Sequence, residues 1–319
     1  MKNHVILIDP IEQLVVKKDS SLLLAHEFKK RGHAVFILFK NDLCMETTSK
    51  KISLTLYDFD SDSTEDFYLT KFEVKNPKTY QLDSDWTIHM RLEPPFDLSY
   101  LRSLWVLNFI KNSFGVKIIN DPIGIMSHNE KISSFIADNS IETYIGASKE
   151  QFLSFSKKLQ NAGVTDLILK PLDLFQGLGV EKISLKNNDI DLMTIFCEKV
   201  KNHQGQIMAQ PFKPEIKNGE IRSIFYAGKC LGTIKKVPKE GSFLANIAQG
   251  ASFDKAELNE IQLKGCLKIC SALGDLVPWI AFDILGNNIS EVNVTCPGLL
   301  IEVSKAENKN LALEIVKNF

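Results

Sequence analysis

Two acids and an amide stand close together late in this chain. Asp283, Glu291 and Asn293 lie within 279–298, where two apolar, β-branched-rich runs flank Gly286, Asn287 and Asn288. Such runs around such a turn read as a β-hairpin. Side chains alternate faces along a strand, so Glu291 and Asn293 share one. A three-residue loop of 286–288 sets Leu285 opposite Ile289 and Asp283 opposite Glu291 on that face. A two-residue turn at Asn287 and Asn288 pairs Asp283 with Val292 instead. Two carboxylates and an amide oxygen on one face repel each other without a cation. Hard oxygen ligands of this kind suit Mg²⁺, with Mn²⁺ as the alternative ion. The same residues also fit a solvated strand face that carries two acids.

Other residues offer charge for anions. Residues 167–171 read as a strand ending at Lys170, followed by a loop that holds Gly177 and Gly179. Lysine at a strand end beside a glycine loop makes a phosphate clamp of ammonium and close backbone N–H groups. Lys17 and Lys18 precede a helix that begins near Ser20, with Asp19 or Ser20 as its cap. That is either an anion site at a helix N-terminus or a solvated loop. Arg91 ends a strand before Pro94 and Pro95, placed either to grip a carboxylate in bidentate fashion or for a surface salt bridge. Arg222 shares a strand face with Ile224 and Tyr226.

These residues need elements to hold them. Strand at 5–9, helix at 20–31 and strand at 34–39 open a parallel α/β sheet. The acidic stretch 58–63 reads as surface loop. Strand at 86–91, helix at 100–114 and strand at 116–120 follow. Beyond 123 come a helix carrying Lys131, capped by Ser127 or Asn129, and helices at 149–160 and 190–202. A strand at 206–212 and a strand–turn–strand from 220 come next. Residues 241–253 form a Gly-bearing loop, a candidate lid. Helices are expected at 256–273 and 305–318. The fold class is α/β, an N-terminal open α/β domain at 1–121 with two α+β units at 122–204 and 205–319.

Composition narrows the class. The chain has 319 residues, 44% hydrophobic and 24% charged, with a formal net charge of −1. That balance gives no electrostatic case for nucleic acid or a membrane surface as partner. No run approaches the ~18 apolar residues of a membrane span, and the N-terminal apolar run is too short for a signal peptide. The six cysteines are scattered without a Cys-x-x-Cys pair, which points to the cytoplasm. Cys266 and Cys270 share a helix face and read as buried thiols.

The motifs, taken in order, resemble bacterial glutathione synthetase, of the ATP-grasp superfamily. Lys17-Lys-Asp-Ser-Ser, Met90-Arg-Leu-Glu-Pro-Pro-Phe-Asp, Asn129-Glu-Lys, Ile168-Leu-Lys-Pro-Leu-Asp, Met208-Ala-Gln, Phe282-Asp-Ile and Glu291-Val-Asn-Val-Thr carry the resemblance. It implies a pre-ATP-grasp domain and two ATP-grasp subdomains holding ATP. It implies a ligase that phosphorylates a carboxylate and lets an amine attack the acyl phosphate. Carried over, Lys131 and Lys170 hold phosphates with Gly177 and Gly179, while Gln210, Pro211 and Phe212 line adenine. Asp283, Glu291 and Asn293 hold Mg²⁺. Arg222, with Lys170, serves catalysis. Lys18, Ser20, Arg91, Asn246, Val294, Thr295, Cys296 and Pro297 hold substrate. Small acid and amine partners and a homo-oligomer, dimer or tetramer, are implied too.

This chain departs from the family at marked places. The family's Gly-Met-Gly-Gly loop is Leu174-Phe-Gln-Gly-Leu-Gly here, and Leu244 stands where its lid carries arginine. Pro211 removes an amide donor at the hinge, Cys296 replaces serine and Glu93 replaces aspartate. These changes also fit a related ligase for another acid and amine, or a nucleotide-binding protein with little ligase activity.

Overall fold

A computed structural model describes residues 3–46, 51–242 and 245–319, and its strands form three sheets. The first contains β1 (Asn3–Ile8), β2 (Ala34–Phe39), β3 (Ile52–Ser63), β4 (Leu69–Leu82), β5 (Trp86–Met90) and β6 (Lys117–Ile119). Their order is β4-β3-β2-β1-β5-β6. The four strands from β2 to β6 run parallel, and the β3–β4 hairpin closes one edge. α1 (Ser20–Lys30) and α2 (Leu98–Phe114) cover opposite faces, with α3 (Pro122–Ser127) after them. Alternation decides which side chain goes where: Ile6 and Ile8 join α1, while Val5 and Leu7 join α2. Both faces are buried, so β1 is almost uniformly apolar.

The acidic stretch 58–63 is strand, not loop. Phe59 is fully buried between Asp58 and Asp60, which reach Lys29 and Lys75. One apolar anchor suffices to hold this end of β3, whose exposed face is charged.

The second sheet has β7 (Tyr144–Gly146), β8 (Asp166–Pro171), β9 (Glu181–Ser184) and β10 (Ile207–Pro211), ordered β7-β10-β8-β9. α4 (Lys149–Asn161) and α5 (Asp189–Asn202) back it through the stacked rings of Phe152 and Phe196, 4.2 Å apart. The third sheet, order β13-β12-β11-β14-β15, is formed by β11 (Glu220–Tyr226), β12 (Lys229–Val237), β13 (Ser252–Lys255), β14 (Trp279–Leu285) and β15 (Asn288–Asn293). α6 (Glu260–Leu273) packs Cys266, Ile269 and Leu273 against Ile280, Phe282 and Ile284. Cys266 and Cys270 are buried as expected, and burial pushes the Cys270 thiol up to about 12.

The other face of this sheet joins the first. Ile224, Tyr226, Trp279 and Ala281 share a core with Ile6, Leu23 and Phe28, and with α7 (Leu300–Glu307) and α8 (Leu311–Val316). Phe319 lies edge-on to Phe28 and His4, at 5.4 and 5.2 Å.

Three boundaries differ from expectation. α6 begins at Glu260 rather than 256, because Asn259 and Gln262 form a capping box. The loop from 241 gives way to β13 at Ser252. The helix expected at 305–318 is two helices, α7 and α8, parted by Asn308 at φ +50° and capped anew by Asn310. No helix among the described residues is long and apolar enough to cross a membrane.

One side chain fastens the third sheet's hairpin to the first sheet. Asn120 follows β6, and its Nδ2 donates to the carbonyls of Trp279 and Val294, each at 2.8 Å. Its Oδ1 accepts from the Trp279 N–H at 3.1 Å. Asn120→Ala leaves three buried backbone groups unpaired, at roughly 1–3 kcal/mol each. The expected result is a loss of several kcal/mol in denaturant unfolding; a change under about 0.5 kcal/mol would show that this joint is not structural.

Candidate active site

The hairpin reaches the expected pairing by another route. Leu285 pairs with Asn288, so the turn is the two residues Gly286 and Asn287, with Gly286 at φ +59°. Ile284 then faces Ile289, and Ser290 is an extra residue in a bulge. The bulge restores the register, and Asp283 faces Glu291. Ser290 Oγ donates to the Asp283 carbonyl at 3.0 Å, filling the gap in the ladder.

Cross-strand partners lie on one face, so a row of charge runs across the sheet. Arg222 on β11 pairs with Asp283 on β14, and Asp283 with Glu291 on β15. The Arg222 fork donates from Nε to Oδ1 at 2.9 Å and from Nη2 to Oδ2 at 2.7 Å. Lys236, buried on β12, donates to Asp283 Oδ1 at 2.9 Å and to Glu220 at 2.8 Å. Asn293 Nδ2 donates to Asp283 Oδ2 at 3.1 Å. Burial acts to raise the Asp283 pKa, but Arg222 and Lys236 overcome it and hold the carboxyl far below its ordinary range. Glu220 shifts the other way: burial raises it against the pull of Lys236.

Lysines face this row from the neighbouring segments. Lys131 is buried at the start of the short turn Ile132–Ile136, which Asn129 caps through the Lys131 and Ile132 N–H groups. Its Nζ lies 3.1 Å from Glu291 and donates to the Leu174 carbonyl at 2.6 Å. Lys170 is the next-to-last residue of β8, and burial lowers its pKa against the opposing pull of Glu291, Glu220 and Asp283. The glycine loop after β8 turns on Gly177 and Gly179, at φ +79° and +70°. A Cβ on Gly179 would meet Pro171 at 2.7 Å, so the loop folds flat against its strand there.

Gln210 and Pro211 end β10, and Phe212 follows them. The Gln210 amide donates to Thr143 Oγ1 at 2.8 Å, Pro211 pairs with Leu167, and the Phe212 N–H reaches the Asp166 carbonyl at 2.9 Å. The Phe212 ring lies 4.0 Å beneath the Lys182 ammonium.

Several expected substrate residues hold the chain itself. The Nε and Nη2 of Arg91 donate to Ser21 Oγ at 3.0 Å and to the Pro297 carbonyl at 2.8 Å, and its plane lies 4.0 Å over Trp279. The bidentate grip expected of Arg91 therefore does not arise on that edge, because the fold uses it. Ser20 Oγ accepts from the Leu300 N–H at 3.1 Å. Val294 and Thr295 donate their N–H groups to Glu130 at 2.9 and 3.0 Å. Cys296 Sγ donates to the Arg91 carbonyl at 3.4 Å, and burial drives its thiol pKa up. The amides of Ser21 and Leu22 are taken by the Asp19 carboxylate, so no anion site opens at that helix start. Lys18 remains exposed, beside a cavity. Asn246 Nδ2 donates to the Gln176 carbonyl at 3.2 Å. The lid position Leu244 lies outside the described residues.

Sequence reading gives no role to Lys236, Glu220, Glu130 or Asn120, although Asn120 and Glu130 lie in the recognised runs Ile119-Asn-x-Pro and Asn129-Glu-Lys. Lys235 and Lys236 look like one solvated pair, and only the strand phase separates the buried one from its neighbour. Glu130 sits within the recognised Asn129-Glu-Lys run, and nothing in that run marks it as the anchor of 294–295.

Two carboxylates and an amide oxygen are donors of the type that suits a hard cation, but here Arg222, Lys236 and Asn293 take the Asp283 oxygens and Lys131 pairs with Glu291. This network also ties stability to pH. Asp283 has a folded pKa below the ordinary ~3.9. It contributes stability above that pH and loses it as pH falls through the folded value. Asp283→Asn leaves Arg222 and Lys236 undercompensated, at roughly 3–5 kcal/mol. That deficit should be full in denaturant unfolding at pH 7 and narrow below about pH 4. A gap constant with pH would remove this account.

The chain is similar to known proteins over nearly its whole length. A family model for the prokaryotic glutathione synthetase N-terminal domain matches residues 1–125, and one for its ATP-grasp domain matches residues 130–308. The glutathione synthetase of Wigglesworthia glossinidia brevipalpis is 31% identical over 308 residues, covering 93% of this chain and 91% of that one. That of Vibrio cholerae is 28% identical over 305 residues, covering 94% and 92%. Among solved structures, D-cycloserine synthetase DcsG aligns at TM-score 0.65 and 11% identity, covering 99% of both chains. The ATP-grasp ligase PsnB, solved with a phosphomimetic precursor variant, Mg and ADP, aligns at 0.63 and 11%, covering 100% and 98%. The fold is thus that of the ATP-grasp ligases, and the chain belongs to the prokaryotic glutathione synthetase family.

Proposed function

We propose that the chain joins γ-glutamylcysteine to glycine, with an acyl phosphate between and ADP and phosphate released. It is a ligase that forms a C–N bond at the expense of ATP. The observation that carries the reading is the row Arg222–Asp283–Glu291, faced by Lys131. Phosphoryl transfer needs position and neutralised charge rather than a protein nucleophile. Lysines, an arginine and oxygen ligands for a cation are the means to that end.

Asp283, Glu291 and Asn293 would hold Mg²⁺, or Mn²⁺ in its place. When bound, the ion neutralises charge on the phosphates. Lys131 and Lys170, with the Gly177 and Gly179 loop, hold the ATP phosphates. Gln210, Pro211 and Phe212 border the adenine. Arg222 sits where negative charge grows as the carboxylate becomes an acyl phosphate. Lys18, Asn246 and the 294–297 segment position the acid, and Arg91 and Ser20 shape that segment from below. The loops around Gln176 and Asn246 touch and exclude water from a labile intermediate.

Three units, 1–121, 122–204 and 205–319, divide the work, with β10 of the third completing the second sheet. The active form is a homo-oligomer, dimer or tetramer. The exposure of Leu98, Trp105 and Phe109 along one face of α2 supports it.

The first test omits MgATP, γ-glutamylcysteine and glycine in turn while ADP is measured. ADP formation that requires all three is the expected result. ADP formed only with another acid and amine moves the reading to a related ligase, and nucleotide binding without turnover on any pair sinks it. Arg222→Ala should lower kcat by roughly 10²–10³-fold with a smaller change in ATP affinity. Equal losses would indicate unfolding.

A further inference from the structure

The ladder of β15 ends at Asn293, opposite Ala281. Beyond it the backbone is held by side chains from distant parts of the chain. Asn120 Nδ2 donates to the Val294 carbonyl and Arg91 Nη2 to that of Pro297, each at 2.8 Å. The donors of this stretch converge on one atom. The Val294 N–H, the Thr295 N–H and the Thr295 hydroxyl all donate to Oε1 of Glu130, at 2.9, 3.0 and 2.8 Å. Glu130 also holds the strand before this stretch, since its own carbonyl accepts from the Val292 N–H at 2.8 Å. One residue thus fixes the chain on both sides of Asn293.

Its neighbours in sequence reach the other parts of the site. Asn129 Nδ2 donates to the Leu172 carbonyl at 2.8 Å, where the chain enters the glycine loop. Lys131 Nζ donates to the Leu174 carbonyl at 2.6 Å and lies 3.1 Å from Glu291. Three consecutive residues therefore touch the glycine loop, the 294–297 segment and the charged row. Consecutive residues cannot drift apart, because their Cα atoms are held about 3.8 Å from each other. The 294–297 segment is tied to Lys131 by that single step of backbone and one carboxylate.

We infer that Glu130 is a positioning residue, which holds the acid-binding segment 294–297 in register with the lysine that grips the phosphates. The inference rests on the ligase reading above and deepens it. An acyl phosphate forms only when the carboxylate and the phosphoryl group meet in one narrow geometry. Glu130 acts on that geometry through the backbone of 294 and 295 rather than on either reactant. It needs only an acceptor oxygen in the right place, and the glutamine amide has one too.

The test uses the full chain and reads hydrogen exchange, calorimetric binding and turnover. Without ligand, the Val294 and Thr295 amides should exchange about ten-fold faster in Glu130→Ala than in wild type, and Glu130→Gln should keep most of their protection. With a non-hydrolysable ATP analogue and Mg²⁺ present, Glu130→Ala should weaken γ-glutamylcysteine about ten-fold, and kcat should fall on the order of 10²-fold. Binding of the analogue alone should change less than about two-fold, which also shows that the variant is folded. Thr295→Val removes one of the three donors. It should weaken the dipeptide by itself and add little once Glu130 is alanine. An equal loss of dipeptide and nucleotide, or no loss of either, overturns the inference. So does a Glu130→Gln chain as impaired as Glu130→Ala, or a loss of the dipeptide with amide exchange unchanged. A wild type that binds the dipeptide but forms no amide sinks the ligase reading and leaves the anchor in place. A wild type that does not bind it overturns both.

Discussion

A carboxylate removed from water is stable only if its charge is answered. Asp283 is buried on β14, an inner strand of an antiparallel sheet, and its answer is a guanidinium, an ammonium and an amide from three other strands. This fixes the relative position of β11, β12, β14 and β15 more tightly than ladder hydrogen bonds alone, since a slip by one residue would strand a buried charge. The rest of the site follows from it. Glu291 stands beside Asp283 because the strands are in register, Lys131 beside Glu291 because a short turn docks on β15, and the glycine loop beside Lys131 because one carbonyl is held there.

The apolar architecture places this row at a boundary. One face of the third sheet is sealed by α6. The other is apolar along Ile224, Tyr226, Ile234, Trp279 and Ala281, where it joins the core beneath α1. Two residues further along the same strand faces, Arg222 and Asp283 carry charge instead. The transition from apolar to charged residues along a single strand marks where core ends and cleft begins.

Much of this was legible in the sequence, and the losses have physical causes. Strands and helices with a strong period were read within a few residues, as were the hairpin and its trio, because apolar alternation and turn residues are local signals. The pairing of Asp283 with Glu291 was read correctly from an incorrect loop: a tighter turn and a bulge at Ser290 compensate each other, and neither leaves a distinct mark. The stretch 58–63 was misread because its acids outnumber its one anchor, Phe59. Arg91 is a strand-end arginine by sequence and a buried brace by structure, since Ser21, Trp279 and Pro297 come to it from distant segments. Lys236 was invisible for the same reason. Its partners are 47 and 16 residues away, and only the folded sheet brings them together.

The shared core beneath α1 bears on how the molecule is made. Leu23 and Phe28 are covered in part by Leu300, Ile301, Leu311 and Ile315. Synthesis runs from the N-terminus, so the strands and helices of the first sheet exist long before the residues that cover one face of α1. Until α7 and α8 have been made, that face exposes leucine and phenylalanine to water, a surface of the kind that chaperones bind and that aggregates. Such late, long-range closure also slows folding, because the chain must form a large loop before the contact rewards it. A site assembled from three sheets thus carries a kinetic debt: its first unit matures last.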